Sequence, residues 1–299
     1  MKKNDPFVSV IIPTYNRVEL LKQTVESVRC QTCSDYEIIV VNDGSTDGTA
    51  EWLQEQVDII KVNQPNSGIA ASRNKGVSVG RGEWMAFLDH DDIWDHDKLR
   101  IQTDFIRSNP EIAMVAARHV RIGSRVERSE SNKWIKGDLF SKVYSESFIH
   151  TSSVMIRRDA LEKIGGFPTK YRFADEFDVW LKISSDFPIA FVNSPLVFIR
   201  FYDSNTSHNR IGVRSDTYDI LLNNYDSGRI PRDMYLRTLS DHDISFGRAY
   251  IGLGDLDNAL KWFHSAVERT PLRPRAWRYY VRYRLLDVMK KMWSTSGNA

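Results

Sequence analysis

Short apolar runs alternate with helically spaced segments through the first third of the chain. Residues 7–12, 37–41, 59–62 and 84–88 are rich in apolar and β-branched side chains, which predicts four strands. The first two are predicted to be buried on both faces, and the third is the weakest. Residues 18–29 and 70–79 have helical spacing, and the polar turn over residues 42–49 predicts a helix from about Thr49. This alternation predicts an α/β fold with a doubly wound, mainly parallel central sheet.

The pattern is less regular from about Trp134 and turns helical after about Ser215. Residues 148–157 and 196–201 predict strands, and residues 177–184 predict a helix. The small and aromatic residues over 246–271 are spaced as in one tetratricopeptide repeat, and Ala276 with Trp277 resembles the start of another. We therefore predict two regions, an α/β domain over residues 1–215 and an α-helical appendage over residues 216–299.

Polar clusters directly follow three of the predicted strands. In a doubly wound sheet the ligand lies outside the carboxyl ends of the strands, so the clusters after Ile12, Val41 and Leu88 should converge on one site. The third cluster, residues 89–92, reads Asp-His-Asp-Asp. Three adjacent carboxylates repel one another unless a cation neutralises them, and a hard divalent ion that also binds phosphate suits them. A solvated acidic turn that caps the next helix is the alternative interpretation.

Three further positions carry candidate chemistry, each beside a plainer interpretation. Asp43 ends the second strand and could accept a hydrogen bond from a nucleobase, or form an Asx turn or helix cap. Arg73 lies one turn into a helix and could pair with a pyrophosphate, or simply be a surface arginine. Asp175 and Glu176 cannot both face the same way on a helix, so one could point at a reaction centre while the other orients it. A charged helix N-terminus, which the helix dipole favours, is the alternative.

Six segments, taken together, resemble the family 2 glycosyltransferases of GT-A fold. They follow in the family's order and cover residues 8–17, 37–47, 66–74, 87–92, 165–167 and 175–181. The resemblance extends over about residues 7–207, and its strength lies in six motifs at the expected spacings, since any one of them is weak.

The resemblance implies a role for each matching residue. The nucleotide pocket would be lined by Pro13, Thr14, Tyr15 and Arg17. Asp43 would contact the pyrimidine ring and Arg73 the diphosphate. Asp89 and Asp91 match the outer acids of the Asp-x-Asp motif, with Asp91 as the direct metal ligand. The family's base is the second acid of a Glu-Asp pair, which here reads Asp175-Glu176 and puts Glu176 in that position.

Two departures from the family pattern accompany these matches. The order of the acids at residues 175–176 is reversed, and glutamate reaches one methylene further than aspartate. Tyr202 replaces a histidine that many members carry after the last strand and that could contact the diphosphate or metal, and His208, six residues on, could take its place.

The resemblance implies an inverting, metal-dependent sugar transfer. The donor would be a nucleoside-diphosphate sugar, with UDP expected, the cofactor Mn²⁺ or Mg²⁺, and the acceptor a hydroxyl of a glycan or lipid-linked sugar in cell-surface polysaccharide or glycolipid synthesis. A nucleotidyltransferase or dinucleotide-dependent oxidoreductase is disfavoured, since residues 13–17 contain no glycine. A non-catalytic nucleotide-sugar-binding or interaction module with a degenerate domain is the remaining alternative, and the retained acids argue against it.

Bulk composition narrows the setting of the chain. The net charge of +2 does not favour nucleic acid as a partner, and neither a signal-type segment nor an apolar stretch of spanning length is evident, so we expect a cytoplasmic protein. The only cysteines, Cys30 and Cys33, form a Cys-x-x-Cys pair, which we interpret as two reduced thiols at a helix end rather than a redox pair.

The C-terminal tail is basic and amphipathic. Between residues 273 and 293 it carries seven Lys or Arg against the single acid Asp287. Its apolar residues recur at steps of three and four and share one helix face: Trp277, Val281, Leu285, Val288 and Met292. Two interpretations stay open. Either this stripe packs on the preceding helices, or the helix lies on the anionic inner surface of the cell membrane as a peripheral contact.

Overall fold

The structure, a computed structural model, describes residues 5–124, 132–146, 148–200 and 210–296. The side chains of Arg210 and of residues 290–296 lie outside this description. The chain divides into two compact units, residues 1–205 and 206–299. The predicted boundary after residue 215 falls inside a helix that begins at Arg210.

The first unit contains the following elements. Its strands are β1 (Val8–Thr14), β2 (Tyr36–Asn42), β3 (Ile59–Asn63), β4 (Trp84–Phe87), β5 (Ile93–Trp94), β6 (Met114–Arg121), β7 (Trp134–Gly137), β8 (Met155–Arg157) and β9 (Ile189–Ile199). Its helices are α1 (Val18–Arg29), α2 (Thr49–Glu55), α3 (Ile69–Val79), α4 (Lys98–Ser108), α5 (Phe140–Ser145), α6 (Arg158–Lys163) and α7 (Asp175–Asp186).

These strands form one mixed sheet in the order β3-β2-β1-β4-β8-β6-β9-β5, with β7 pairing β9. The β3-β2-β1-β4 half is parallel, as the alternating pattern predicts. Beyond it, β8 runs antiparallel to both β4 and β6, while β9 runs parallel to β6. The α/β prediction is confirmed, and the continuous parallel half is the one in which helices α1 to α3 cross over between strands.

Burial follows the apolar pattern in the parallel half. Every residue of β1 is buried, and α1 packs against the sheet through Leu21, Val25 and Val28, the face that its spacing predicts.

The predicted strand over residues 148–157 is wrong in extent: a 3-10 turn (Thr151–Ser153) precedes the three-residue β8. Cys30 and Cys33 are free thiols at the end of α1.

The second unit is helical, with α8 (Arg210–Asn223), α9 (Arg232–Gly252), α10 (Leu256–Arg269) and α11 (Pro274–Ser296). Gly247 lets α9 approach α10, because a Cβ there would lie 2.4 Å from the ring of Phe263. That residues 246–271 form a tetratricopeptide repeat stays a prediction. No described helix combines the length and apolar character needed to span a bilayer.

The interpretation that the stripe of α11 packs on the preceding helices is wrong for the residues described. Trp277, Val281, Leu285 and Val288 are all more than 40% exposed. Packing uses a different side of α11, where tyrosines 279, 280 and 283 pack against the cluster that contains Phe263. Met292 lies outside the described side chains.

Candidate active site

The loop between β1 and α1 is held in a strained conformation. Pro13 and the buried Thr14 end β1, Tyr15 is 48% exposed, and Asn16 and Arg17 both adopt left-handed backbone angles, with φ of 58° and 63°. Two consecutive non-glycine residues in this region need outside support. The β2–α2 loop supplies that support through hydrogen bonds.

Three such bonds join the two loops. The backbone N–H of Asn16 donates to Ser45 Oγ at 2.8 Å, that of Thr46 donates to Asn16 Oδ1 at 2.9 Å, and that of Val18 donates to Asp47 Oδ2 at 2.9 Å. The first and second predicted motifs therefore form one connected rim at the carboxyl edge of the sheet.

Asp43 anchors the start of α3. One carboxylate oxygen accepts from the Ser67 N–H at 2.8 Å and from Gln64 Nε2 at 2.7 Å, and the other accepts from the Gly68 N–H at 2.9 Å. The side chain is 5% exposed. Asp43 therefore fixes the loop that leads into α3 and caps neither α2 nor α3. Its contact with a nucleobase stays a prediction.

The acidic turn after β4 is fixed to α1 and to the 3-10 turn. Thr24 Oγ1 lies 2.9 Å and 2.8 Å from the carbonyl oxygens of His90 and Asp92. Ser152 Oγ donates to Asp92 Oδ2 at 2.6 Å, and it also accepts the backbone N–H of Asp89 at 3.1 Å. Asp92 is therefore buried and supports the turn, and Asp89 and Asp91 precede it in the same turn.

Arg73 connects the two acidic clusters. Its Nη1 donates to Asp175 Oδ2 at 2.9 Å and its Nη2 donates to Asp89 Oδ1 at 3.0 Å, while Glu176 Oε2 lies 3.9 Å from Nη1. The side chain of Arg73 is 3% exposed, so the surface interpretation is wrong. Both terminal nitrogens face carboxylates, and a diphosphate contact stays a prediction.

The residue after Arg73 locks α3 to the Gly-Gly-Phe motif. Asn74 Nδ2 donates to the Phe167 carbonyl, and the Phe167 N–H donates to Asn74 Oδ1, both at 2.8 Å. A Cβ on Gly166, whose φ is 72°, would lie 2.7 Å from Asn74 Oδ1. The Arg73 guanidinium also sits 5.3 Å from the centre of the Phe167 ring. This motif therefore serves to position Arg73.

The two acids at the start of α7 differ in accessibility. The Asp175 side chain is 2% exposed and is held by Arg73, whereas that of Glu176 is 31% exposed. Burial, with Asp175 beside it and only partial compensation by Arg73, raises the pKa of Glu176 to about 8. Glu176 thus has the reach and the proton affinity of a general base, while Asp175 is fixed in place.

The acids after β4 meet the electrostatic requirement of a cation site. Burial, together with the charge on Asp89, raises the pKa of Asp91 and raises that of Asp92 well above the ordinary value. Arg17 Nη1, 3.8 Å from Asp91 Oδ2, leaves this negative charge only partly neutralised. Because Asp89 is paired with Arg73, Asp91 is the acid best placed to bind a divalent ion.

A second group of ligand-type side chains lies at the start of α4. Ligand atoms of Asp95, His96 and Asp97 all fall within 4.8 Å of one another. Asp97 already accepts hydrogen bonds from Thr32 at 2.8 Å and from Arg100 at 3.1 Å, and Asp95 accepts the Asp97 N–H at 3.1 Å. These contacts account for the group as the polar N-terminus of α4.

Sequence reasoning missed two residues beside the acids. His150 Nδ1 lies 3.7 Å from Asp92 Oδ2, its ring centre is 4.9 Å from that of His119, and burial lowers its pKa to about 4. Neither residue belongs to a recognisable motif, and the strand predicted over residues 148–157 concealed the turn that places His150. Tyr202 and His208 lie outside the described residues.

Comparison with known proteins identifies the family. The model of "Glycosyl transferase family 2" matches residues 9–165, more than half of the chain. The chain belongs to this family. A relative in Bacillus subtilis, the putative teichuronic acid biosynthesis glycosyltransferase TuaG, is 42% identical over 107 residues, which cover 34% of this chain and 42% of TuaG. The chain spans only 30–33% of the length of three Rickettsia glycosyltransferases that it also matches.

Two solved structures share the fold. S. aureus TarS 1-349 in complex with UDP-GlcNAc matches with a TM-score of 0.60 and 16% identity, over 88% of this chain and 92% of that one. The mannosyltransferase PcManGT from Pyrobaculum calidifontis, in complex with GDP-Man and Mn²⁺, matches with a TM-score of 0.57 and 20% identity, over 98% and 88%. The predicted GT-A fold with C-terminal helices is confirmed.

Proposed function

We propose that this chain is an inverting glycosyltransferase that moves a sugar from a UDP-linked donor to an acceptor hydroxyl with the help of Mn²⁺ or Mg²⁺. The observation that carries the proposal is the contrast between Asp175 and Glu176. One acid is buried on Arg73, while the neighbouring acid is partly exposed and has a pKa of about 8. A base needs that access and that proton affinity.

The chain's own residues would divide the work as follows. Glu176 takes the proton of the acceptor hydroxyl as that oxygen attacks the anomeric carbon, and Arg73 holds Asp175 and Asp89 beside it. Such base assistance typically contributes about 10²–10⁴-fold. Asp91, with Asp89, would hold the metal ion, which when bound supplies positive charge for the diphosphate leaving group.

Relatives support the expected setting. TuaG is named for teichuronic acid biosynthesis, and the fold neighbours were solved with UDP-GlcNAc and with GDP-Man and Mn²⁺. We propose a role in cell-surface polysaccharide or glycolipid synthesis, at the cytoplasmic side of the membrane, with a glycan or lipid-linked acceptor.

Donor hydrolysis tests the proposal without a known acceptor. We expect UDP release from UDP-sugars with added Mn²⁺, and loss of this release in Asp91→Asn. The matched control is Asp104→Asn, since Asp104 is 62% exposed on α4 and only weakly paired with Arg100 at 3.9 Å. Thermal stabilisation by UDP without any turnover would instead favour the non-catalytic binding module. Full activity of Asp91→Asn in chelator-treated buffer would contradict the metal assignment.

A further inference from the structure

Among its described side chains, helix α11 makes its apolar contacts with its own unit mainly through one side. Ala276 is fully buried, and tyrosines 279, 280 and 283 pack with it against the cluster around Phe263. The rings of Tyr279 and Tyr283 stack on Phe263 with centroid distances of 5.5 Å and 5.2 Å. These contacts fix which side of α11 faces α9 and α10.

The other side of α11 is apolar and exposed. We call it the outward face, and it comprises Trp277, Val281, Leu285, Val288 and Met289, with exposed fractions between 43% and 59%. At about 100° per residue, these positions group on the side of the helix roughly opposite Tyr279 and Tyr283. Contiguous exposed apolar side chains of this kind mark an interaction surface.

Positive charge borders the outward face. At about 100° per residue, Arg278 lies between Leu285 and Met289, and Arg282 lies just beyond Met289. Both arginines are exposed, and neither forms an ion pair with a carboxylate among the described side chains. Arg284, at the other edge, is 55% exposed and lies 3.1 Å from Asp287. The sequence adds Lys290 and Lys291 one turn further on. The outward face therefore combines apolar side chains with exposed arginines at and near its edges.

We propose that the outward face of α11 binds the surface of an anionic lipid membrane, with the helix lying in the membrane plane. The apolar side chains would enter the boundary between headgroups and acyl chains, and the arginines would meet lipid phosphates. A second copy of this chain is a poorer occupant, because pairing two outward faces would bring Arg278 and Arg282 of both copies together.

This proposal deepens the proposed function, since a membrane-held transferase meets lipid-linked acceptors at the surface where they reside. It does not depend on the transfer reaction, however. Vesicle binding can be measured with no nucleotide sugar present, so failure of one proposal is distinguishable from failure of the other.

Flotation of the full chain with phosphatidylcholine vesicles, with and without phosphatidylglycerol, is the test. We expect flotation only with the anionic vesicles, and a decline as salt is raised. Leu285→Glu and Val281→Glu should each abolish it, whereas Leu253→Glu should not, because Leu253 is 70% exposed on the turn between α9 and α10. Circular dichroism should show all three variants folded.

A charge-matched pair isolates the role of the arginines. Arg278→Glu with Arg282→Glu should lower binding to anionic vesicles by well over the roughly fivefold that one basic side chain contributes. The control, Arg232→Glu with Arg248→Glu, changes the net charge equally at two exposed positions of α9 and should bind like wild type. Equal loss in both pairs would reduce the effect to net charge and overturn the assignment to α11.

Two other results would also overturn the proposal. Wild type that stays unbound to anionic vesicles at low salt excludes the membrane as the occupant. A dimer in solution that Leu285→Glu dissociates, in a protein that does not float, would assign the outward face to a second copy instead.

Discussion

Replacing Arg73 by methionine should destabilise the first unit more than any surface change. The guanidinium is 3% exposed and contacts Asp175, which is 2% exposed, at 2.9 Å and Asp89 at 3.0 Å. Methionine fills much of the volume but leaves Asp175, Asp89 and Glu176 without their shared cation. Breaking a buried ion pair on one side costs about 3–5 kcal/mol. For a unit of this size, that corresponds to a Tm lower by roughly 6–20 °C.

The deficit should depend on pH in a defined direction. Burial alone would raise the pKa of Asp89, but the charges of Arg73 and His150 hold it below the ordinary value. Without Arg73, burial should leave the folded-state pKa of Asp89 above its unfolded value. A raised folded pKa gives stability that is present at low pH and lost as pH rises. The gap between Arg73→Met and wild type should therefore shrink from pH 7 to pH 5.

Thermal unfolding followed by circular dichroism measures this gap. Arg107→Met is the matched control, since its ion pair with Asp35 at 3.1 Å joins two side chains that are 53% and 49% exposed, and such pairs contribute about 0–1 kcal/mol. Adding Asp175→Asn to Arg73→Met should recover part of the loss. A deficit under about 1 kcal/mol, or one that is the same at pH 5 and pH 7, would refute the reasoning.

Three more predictions address neighbouring residues. Glu176→Gln should cut turnover by about two orders or more while donor affinity, measured by thermal shift, stays nearly unchanged. In wild type, kcat/KM should rise with pH up to about 8, the pKa of Glu176, and Asp175→Asn should move that midpoint down by removing a like charge; a pH-independent rate would contradict the base assignment. Gly166→Ala should destabilise the fold by displacing Asn74 from Phe167, seen as a lower Tm, whereas Gly252→Ala, which meets open space, should not.

The parallel half of the sheet was predictable because its signals are local. Strands β1, β2 and β4 are mostly buried runs, and only the edge strand β3 is partly exposed. Parallel strands bring their carboxyl ends to one edge, so the polar clusters after Ile12, Val41 and Leu88 converge as expected. The 3-10 turn at Thr151–Ser153 has no such signal. Ser152 in this turn is buried where it contacts Asp89 and Asp92, and a local pattern does not contain those contacts.

The role of Arg73 was hidden for the same reason. Its partners Asp89 and Asp175 lie 16 and 102 positions away along the chain. The local sequence around Arg73 does not contain them and therefore favours a surface residue of α3. The prediction that the apolar stripe of α11 packs on the preceding helices was wrong for a different reason. The periodicity correctly identified an apolar face of α11, but periodicity does not show which face packs. The tyrosines on another side of α11 pack against the cluster around Phe263.

Asp43 and Arg73 are joined by helix α3, and this changes how an Asp43 variant must be interpreted. Asp43 accepts the N–H groups of Ser67 and Gly68 at the helix start, and Arg73 follows little more than one turn later. Asp43→Ala should remove the carboxylate partner of these part-buried N–H groups, at about 1–3 kcal/mol, and let α3 shift. We therefore expect weaker donor binding together with a lower kcat, because Arg73 moves with the helix. A rise in KM alone, at unchanged kcat and Tm, would show that Asp43 acts only on the nucleotide and that α3 does not transmit its loss.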